Sequence, residues 1–388
     1  MINNKKWPII RNILIDDGAP LEFIALYKLY YQQLSRGELG LIAEDDIVPL
    51  RDPPHHDNCR DTAALGERAQ KHVVLMKLNG GLGTGMGTEG PKSLLKVRGE
   101  RSFFELTARQ AEHDRIPLIL MNTDATETPA LEHLNERGLS PGGKLPLSFR
   151  QHRAPKLNVD FVPFQRVGGE IAWCPPGHGD FYLALKTSGI LKRLLDSGYQ
   201  YAFVSDADNI GAVFDPAILG WMIRGGHPLV MEVSERTHGD RKGGHLALQK
   251  SDGRLLIREY AQCHAKDAKW FQDMARHSFF NTNNLWIDLC EINRRLQMDA
   301  SATALPLIAN RKTLDPRDRH SQPIWQIETA IGAAVSLFEN AAAIQVSRDR
   351  FRPVKNTSDL LCLRSNCSQD TAGYRVAADS WEKPCLLK

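Results

Sequence analysis

Val73-Val-Leu-Met-Lys-Leu-Asn-Gly-Gly-Leu-Gly-Thr-Gly-Met-Gly-Thr-Glu-Gly-Pro-Lys-Ser93 is the stretch that decides the fold. Its first six residues form a short, nearly continuous apolar run, the pattern of a strand buried on both faces. The run passes straight into a loop with glycines at 80, 81, 83, 85, 87 and 90, followed by Pro91 and Lys92. Without Cβ atoms, backbone N–H groups in such a loop approach a polyphosphate closely, and a lysine adds a point charge. Two familiar phosphate loops do not account for it. Walker A requires glycine immediately before the lysine, where Pro91 stands. Gly85-x-Gly87-x-x-Gly90 fits the dinucleotide pattern formally, but Pro91 follows where a helix should already be running.

Working outward, Ser102-Phe-Phe-Glu105 reads as a capping box opening a helix to Asp114, and Pro117 to Met121 as a second buried strand. A helix over Phe181 to Leu195 leads to a strand at Tyr201 to Ser205. Another near Pro216 to Met222 leads to a strand at Pro228 to Val233. This alternation predicts an α/β fold, a doubly wound, mixed but mainly parallel sheet. Beyond Glu235 the strands shorten. His245 to Gln249 and Arg254 to Tyr260, split by Ser251-Asp252-Gly253, predict a hairpin in a small β-rich subdomain. Ile324 to Phe338 reads as a helix and Ala343 to Val346 as a strand. Before the sheet, Leu21 to Leu34 reads as an amphipathic helix, followed by a polar connector from Arg51 to Gln70. Its His55, His56, Asp57 and Cys59 are not taken as metal ligands, because neighbours on an exposed linker rarely converge on one ion. The expected division is an N-terminal extension (1–70), a catalytic domain (71–350) and a short tail (351–388).

Against 49 basic residues stand 46 acidic ones, a net charge of +3, which offers no global field for nucleic acid or anionic membranes. The seven cysteines are scattered without a C-x-x-C pair, no apolar run is long enough to span a bilayer, and Pro8 and Arg11 break up the leading segment. A cytoplasmic protein is expected.

The glycine-rich segment resembles the signature of UDP-glucose pyrophosphorylases, within the UDP-sugar pyrophosphorylase family. Similar segments recur in family order: Leu118 to Asn122, Phe149-Arg-Gln151 with Pro155, Pro175-Pro-Gly-His-Gly-Asp180 and Ser205-Asp-Ala-Asp-Asn209. Met231-Glu-Val233, Arg241-Lys-Gly-Gly244, Phe280-Asn-Thr-Asn-Asn-Leu-Trp286, Gln326-Ile-Glu-Thr-Ala330 and Pro353-Val-Lys-Asn-Thr-Ser-Asp-Leu360 follow. The resemblance implies a Mg2+-dependent uridylyl transfer from UTP to glucose 1-phosphate, yielding UDP-glucose and pyrophosphate, with the β-rich subdomain holding the sugar.

Such a reaction crowds about six negative charges together, and one pair at about 4 Å costs roughly 4 kcal/mol at an effective dielectric near 20. Cations must therefore be in place beforehand. By resemblance Asp208 is the Mg2+ carboxylate, and Lys92, Lys242 and Lys355 are the catalytic lysines. UTP is expected against Leu78, Asn79, Gly80, Gly81, Gly83, Lys92, Gln151 and Gly177, with the Gln151 amide reading uracil. The sugar phosphate is expected against His178, Gly179, Glu232, Gly244, Glu259, Asn281, Asn283 and Asn284, with Glu328 as a further hydroxyl acceptor. Asp206 stands where the family more often has asparagine and is read as a turn-former in preference to a second metal ligand, and Trp286 is read as core. A phosphate oxygen of glucose 1-phosphate would attack the UTP α-phosphorus in line, without a covalent enzyme intermediate.

Familiar members continue into a left-handed β-helix, whereas 33 residues follow Lys355 here. That domain is expected to be absent and the protein a monomer or weak dimer. A broad-specificity UDP-sugar or a UDP-N-acetylglucosamine pyrophosphorylase, and a non-catalytic UTP or UDP-sugar sensor, remain the alternative readings.

Overall fold

A computed structural model describes residues 6–83, 90–145, 147–315, 318, 320–354 and 356–366. Its frame is a mixed sheet containing β1 (Val73–Asn79), β2 (Leu118–Asn122), β3 (Ser148–Arg150), β4 (Tyr201–Asp206), β5 (Leu229–Glu235), β6 (His245–Gln249), β7 (Leu255–Arg258), β8 (Phe279–Asp288) and β9 (Ala342–Gln345). The central order is β3-β2-β1-β4-β8-β5-β9. β8 runs antiparallel to both β4 and β5, while the other neighbours pair in parallel, so β8 alone is reversed. The expected mainly parallel sheet is present. Its small β-rich addition branches from the start of β8, where β6 pairs through His245 and Phe280 and in turn carries β7 and the short strand Ile47–Pro49.

Alternation along β1 builds both layers. Val74, Met76 and Leu78 face a core with Phe181, Leu185 and Ile331, while Val73 and Leu75 face Phe104, Ile218 and Trp286. Every β1 residue is buried, including Lys77. On the second layer lie α3 (Phe103–Asp114) and α6 (Pro216–Gly225). Ser102 caps α3 by accepting the Glu105 N–H at 3.1 Å, but the Glu105 carboxylate turns to Arg109 instead of closing the capping box. Asp215 caps α6 through the Ala217 N–H, ahead of Pro216.

Three expectations change. The helix expected over Phe181 to Leu195 is two, α4 (Phe181–Thr187) and α5 (Ile190–Asp196), separated at Gly189, whose φ of +77° lies in the left-handed region. Ile324 to Phe338 is not a helix. Pro323–Glu328 is a strand antiparallel to Ile308–Thr313, and Ile331–Leu337 is a 3-10 turn. That segment is apolar because it threads the core: a Cβ on Gly332 would stand 2.6 Å from the Met231 side chain. Ahead of the expected N-terminal helix (α2, Leu21–Ser35) lies another, α1 (Trp7–Asp16), with Pro8 in its first turn and Ile10 and Leu14 buried. Both pack on Leu157, Leu183, Leu307 and Ile327.

Candidate active site

β1, β2 and β4 end together, with Leu78 level with Asp206 and Asn79 with Asn122. Ligands of open α/β sheets bind outside such carboxyl ends. Gly80 and Gly81 leave β1 there, and the glycine loop returns on itself: the Lys92 N–H donates to the Gly81 carbonyl at 3.0 Å, and the Gly83 N–H to that of Gly90 at 3.0 Å. Closing the stem brings Lys92 back to the sheet edge. Residues 84–89, Gly85 and Gly87 among them, lie outside the described residues.

At that edge the Lys92 ammonium forms an ion pair with Asp208. Asp206, the last residue of β4, accepts from the Asn283 amide at 3.3 Å. Burial, and then the charge of neighbouring Asp208, push the Asp206 carboxyl up to about 7. Asp206 and Asp208 thus lie close enough for their charges to interact, across a turn in which the Asn209 N–H donates to the Asp206 carbonyl at 3.1 Å. Beneath them lies Lys77, whose ammonium bonds Ser205 Oγ at 2.6 Å and the Ala212 carbonyl at 3.3 Å. Burial lowers its pKa to about 8, against the pull of Asp206 and Asp208.

Beyond β3, the Gln151 N–H donates to the Asn122 carbonyl at 2.8 Å, and its side-chain amide donates to the Gly177 carbonyl. Its Oε1 lies 3.5 Å from where a Gly80 Cβ would stand, so Gln151 spans the gap between the glycine loop and Gly177. Gly177 has φ +82°, and a Cβ there would meet the Thr329 carbonyl oxygen at 2.3 Å. His178 Nδ1 accepts the Ile331 N–H at 2.9 Å, which leaves the ring proton on Nε2. Burial lowers this imidazole to about 4, so at neutral pH it is an uncharged donor. The Gly179 N–H donates to the Thr329 carbonyl at 2.9 Å, binding the 177–179 turn to the strand that ends at Glu328.

The asparagine run divides into two faces. The register of β5 against β8 shifts between Met231 and Val233, and Asn283 has φ +57°. Such a bulge re-aims side chains. Asn281 donates its amide to Asn283 Oδ1 at 2.7 Å and accepts the Asn283 N–H at 2.8 Å. Asn284 and Glu232 are instead fully buried behind the site. Glu232 accepts from Asn284 at 2.9 Å, from the Trp286 indole at 2.9 Å and from Arg350 at 2.6 and 2.9 Å. The structure thus does not present these two to the sheet edge. Glu328 is likewise occupied, by Lys312 and Asn310. Gly244 abuts the Glu259 carboxylate, which burial pushes up to about 7. Lys242 is exposed, 5.6 Å from the Tyr260 ring, and Lys355 lies outside the described residues.

Asp206 and Asp208 put two carboxylates side by side at this edge, hard oxygen donors of the kind that a divalent cation such as Mg2+ takes. His55, His56 and Asp57 do converge, within 4.8 Å. Each is already engaged: His55 Nδ1 accepts the Asp57 N–H, His56 faces Asp215 at 3.2 Å, and Asp57 bonds Arg60.

A family model for UTP–glucose-1-phosphate uridylyltransferase matches residues 22–384. The chain belongs to this family. It is 37% identical over 330 residues to UTP–glucose-1-phosphate uridylyltransferase 2 of Dictyostelium discoideum, covering 81% of this chain and 64% of that protein. To the Hordeum vulgare UTP–glucose-1-phosphate uridylyltransferase it is 36% identical over 386 residues, 95% of this chain and 78% of the relative. It therefore spans about two thirds to three quarters of these relatives' length. Among solved structures, a point mutant of UDP-glucose pyrophosphorylase from Leishmania major in complex with UDP-glucose superposes with a TM-score of 0.88 at 36% identity, over 97% of this chain and 82% of that one.

Within this family frame, the sequence reading favoured a turn for Asp206 and passed over Lys77 beneath the edge and Arg350 behind it. Asp206 had a signal, a second carboxylate two residues before Asp208. Lys77 had one too, a lysine in an otherwise apolar strand. Arg350, which occupies the Glu232 carboxylate from 118 residues further along the chain, had none.

Proposed function

We propose that this chain transfers uridylyl from UTP to glucose 1-phosphate, releasing pyrophosphate and forming UDP-glucose. The observation that carries the reading is the Lys92–Asp208 ion pair beside a closed glycine loop, at the carboxyl end of the parallel strands. UTP lies along Leu78, Asn79, Gly80, Gly81 and Gly83, and Gln151 with Gly177 pairs with the uracil edge. A half-buried amide that a bound base would cover, and that loses its partner when the wrong base enters, gives discrimination. Lys92 takes the polyphosphate charge, and Lys242 and Lys355 complete the neutralisation as the sugar phosphate arrives.

Glucose 1-phosphate is held by His178 Nε2–H at its phosphoryl group, and by Asn281, Asn283 and Glu259 at its hydroxyls, with Gly179 and Gly244 leaving room. Its phosphate oxygen attacks the α-phosphorus. One P–O bond forms as the bond to pyrophosphate breaks, and no enzyme group need accept a proton or the uridylyl moiety. Asp208, with Asp206 beside it, is the place for Mg2+, which would supply charge neutralisation for the leaving pyrophosphate. Binding of UDP-glucose by the Leishmania major structure supports the choice of nucleotide sugar.

Among the described residues no helix is long and apolar enough to cross a membrane. The unpaired Cys59, Cys174, Cys263 and Cys290 suit a reducing cytoplasm. The test is pyrophosphate release from UTP with Mg2+ and glucose, galactose or N-acetylglucosamine 1-phosphate in parallel. Release with glucose 1-phosphate alone supports the proposal. Comparable release with several sugars replaces it with a broad-specificity enzyme, and UTP binding without release replaces it with a sensor.

A further inference from the structure

Lys77 stands where a core residue is called for. Val73 and Leu75, on the same face of β1, pack against the apolar layer, yet the next position on that face is a lysine with 3% of its surface exposed. Its two described hydrogen bonds go to neutral oxygens, Ser205 Oγ and the Ala212 carbonyl, and an ammonium has three N–H groups to place. An apolar side chain of similar volume would be cheaper to bury. Asp206 and Asp208, with Glu232 beyond them, supply the attraction that keeps the charge there, and Arg350 opposes it.

We propose that Lys77 is a positioning residue, a resident cation beneath Asp206 and Asp208 that holds the two carboxylates together, weakens their grip on a divalent cation and favours an incoming polyphosphate. The proposal rests on the nucleotide- and metal-binding reading of this edge. A fixed positive charge repels a metal ion and attracts phosphate, so its removal must shift the two affinities in opposite directions. Loss of mere packing would weaken both.

The experiment compares the native chain with Lys77→Met, measuring Mn2+ binding by electron paramagnetic resonance and metal-free UTP binding by calorimetry. Mn2+ should bind Lys77→Met at least about threefold more tightly, less than a unit charge exerts on a divalent ion across about 10 Å even at the dielectric of water. UTP should bind it correspondingly more weakly. Unchanged affinities, or a loss of both, would overturn the proposal. If Lys77→Met fails to fold, the double variant Lys77→Met/Asp206→Asn decides. Recovery of folding shows that uncompensated carboxylate charge was the defect, and continued failure shows that Lys77 only fills space. A native chain that binds neither Mn2+ nor UTP would instead refute the functional reading on which the proposal rests.

Discussion

Glu232 separates an internal strut from a sugar ligand, and Glu232→Gln distinguishes them. Four donors converge on this carboxylate, from Asn284, Trp286 and twice from Arg350, at 2.6 to 2.9 Å. Arg350 is itself buried, and its guanidinium is raised in pKa chiefly by Glu232 against the desolvation that opposes it. The amide keeps one acceptor oxygen but turns N–H groups toward donors and leaves the guanidinium without its full counter-charge. Breaking a buried pair by changing one partner costs about 3–5 kcal/mol. Urea unfolding of the native and Glu232→Gln proteins should show a loss of that size, while the KM for glucose 1-phosphate of the surviving folded enzyme changes little. A stability change below about 1 kcal/mol, within the range of many ordinary substitutions, together with a selectively raised KM, would refute the strut and return Glu232 to the sugar.

His178 should give the protein an acid-sensitive term. Its folded pKa of about 4 lies below the ordinary 6.5, so its stabilising contribution is complete above about 6.5 and is lost as pH falls toward about 4. His178→Asn should therefore decline in stability less steeply across that window in thermal melts, and equal slopes would contradict the assignment. Gly177→Ala forces a side chain onto a left-handed residue facing the Thr329 backbone. Together the strain and overpacking should cost about 2–4 kcal/mol, with weaker UTP binding by calorimetry; native-like stability would show that the turn can yield. Chelation by EDTA should cut pyrophosphate release by at least about 100-fold, with full recovery on added Mg2+. Undiminished release would remove the metal from the account.

What the sequence disclosed came from local patterns for the fold and from the family resemblance for the site. β1 was legible because an apolar run broken only by Lys77 leads into glycines, while Leu78, Asn79 and Gln151 were singled out by resemblance to the family's motifs. The bulge that parts Asn281 and Asn283 from Asn284 was not legible, since it arises from the pairing of β8 with β5. Glu232 sits in a short apolar motif whose partner, Arg350, comes from a distant segment, so no local pattern could mark it as already occupied. Ile331–Leu337 misled for a different reason: its small apolar residues suit close passage through the core as well as they suit a helix, and their spacing carries no period to decide.

The most direct measurement of the central claim is the reverse reaction, formation of UTP from UDP-glucose and pyrophosphate by the native chain and by Asp208→Ala. The account predicts UTP from the native chain and a rate lower by at least about 100-fold from the variant, with the variant still folded. No UTP from the folded native chain, or an undiminished rate from Asp208→Ala, would contradict it.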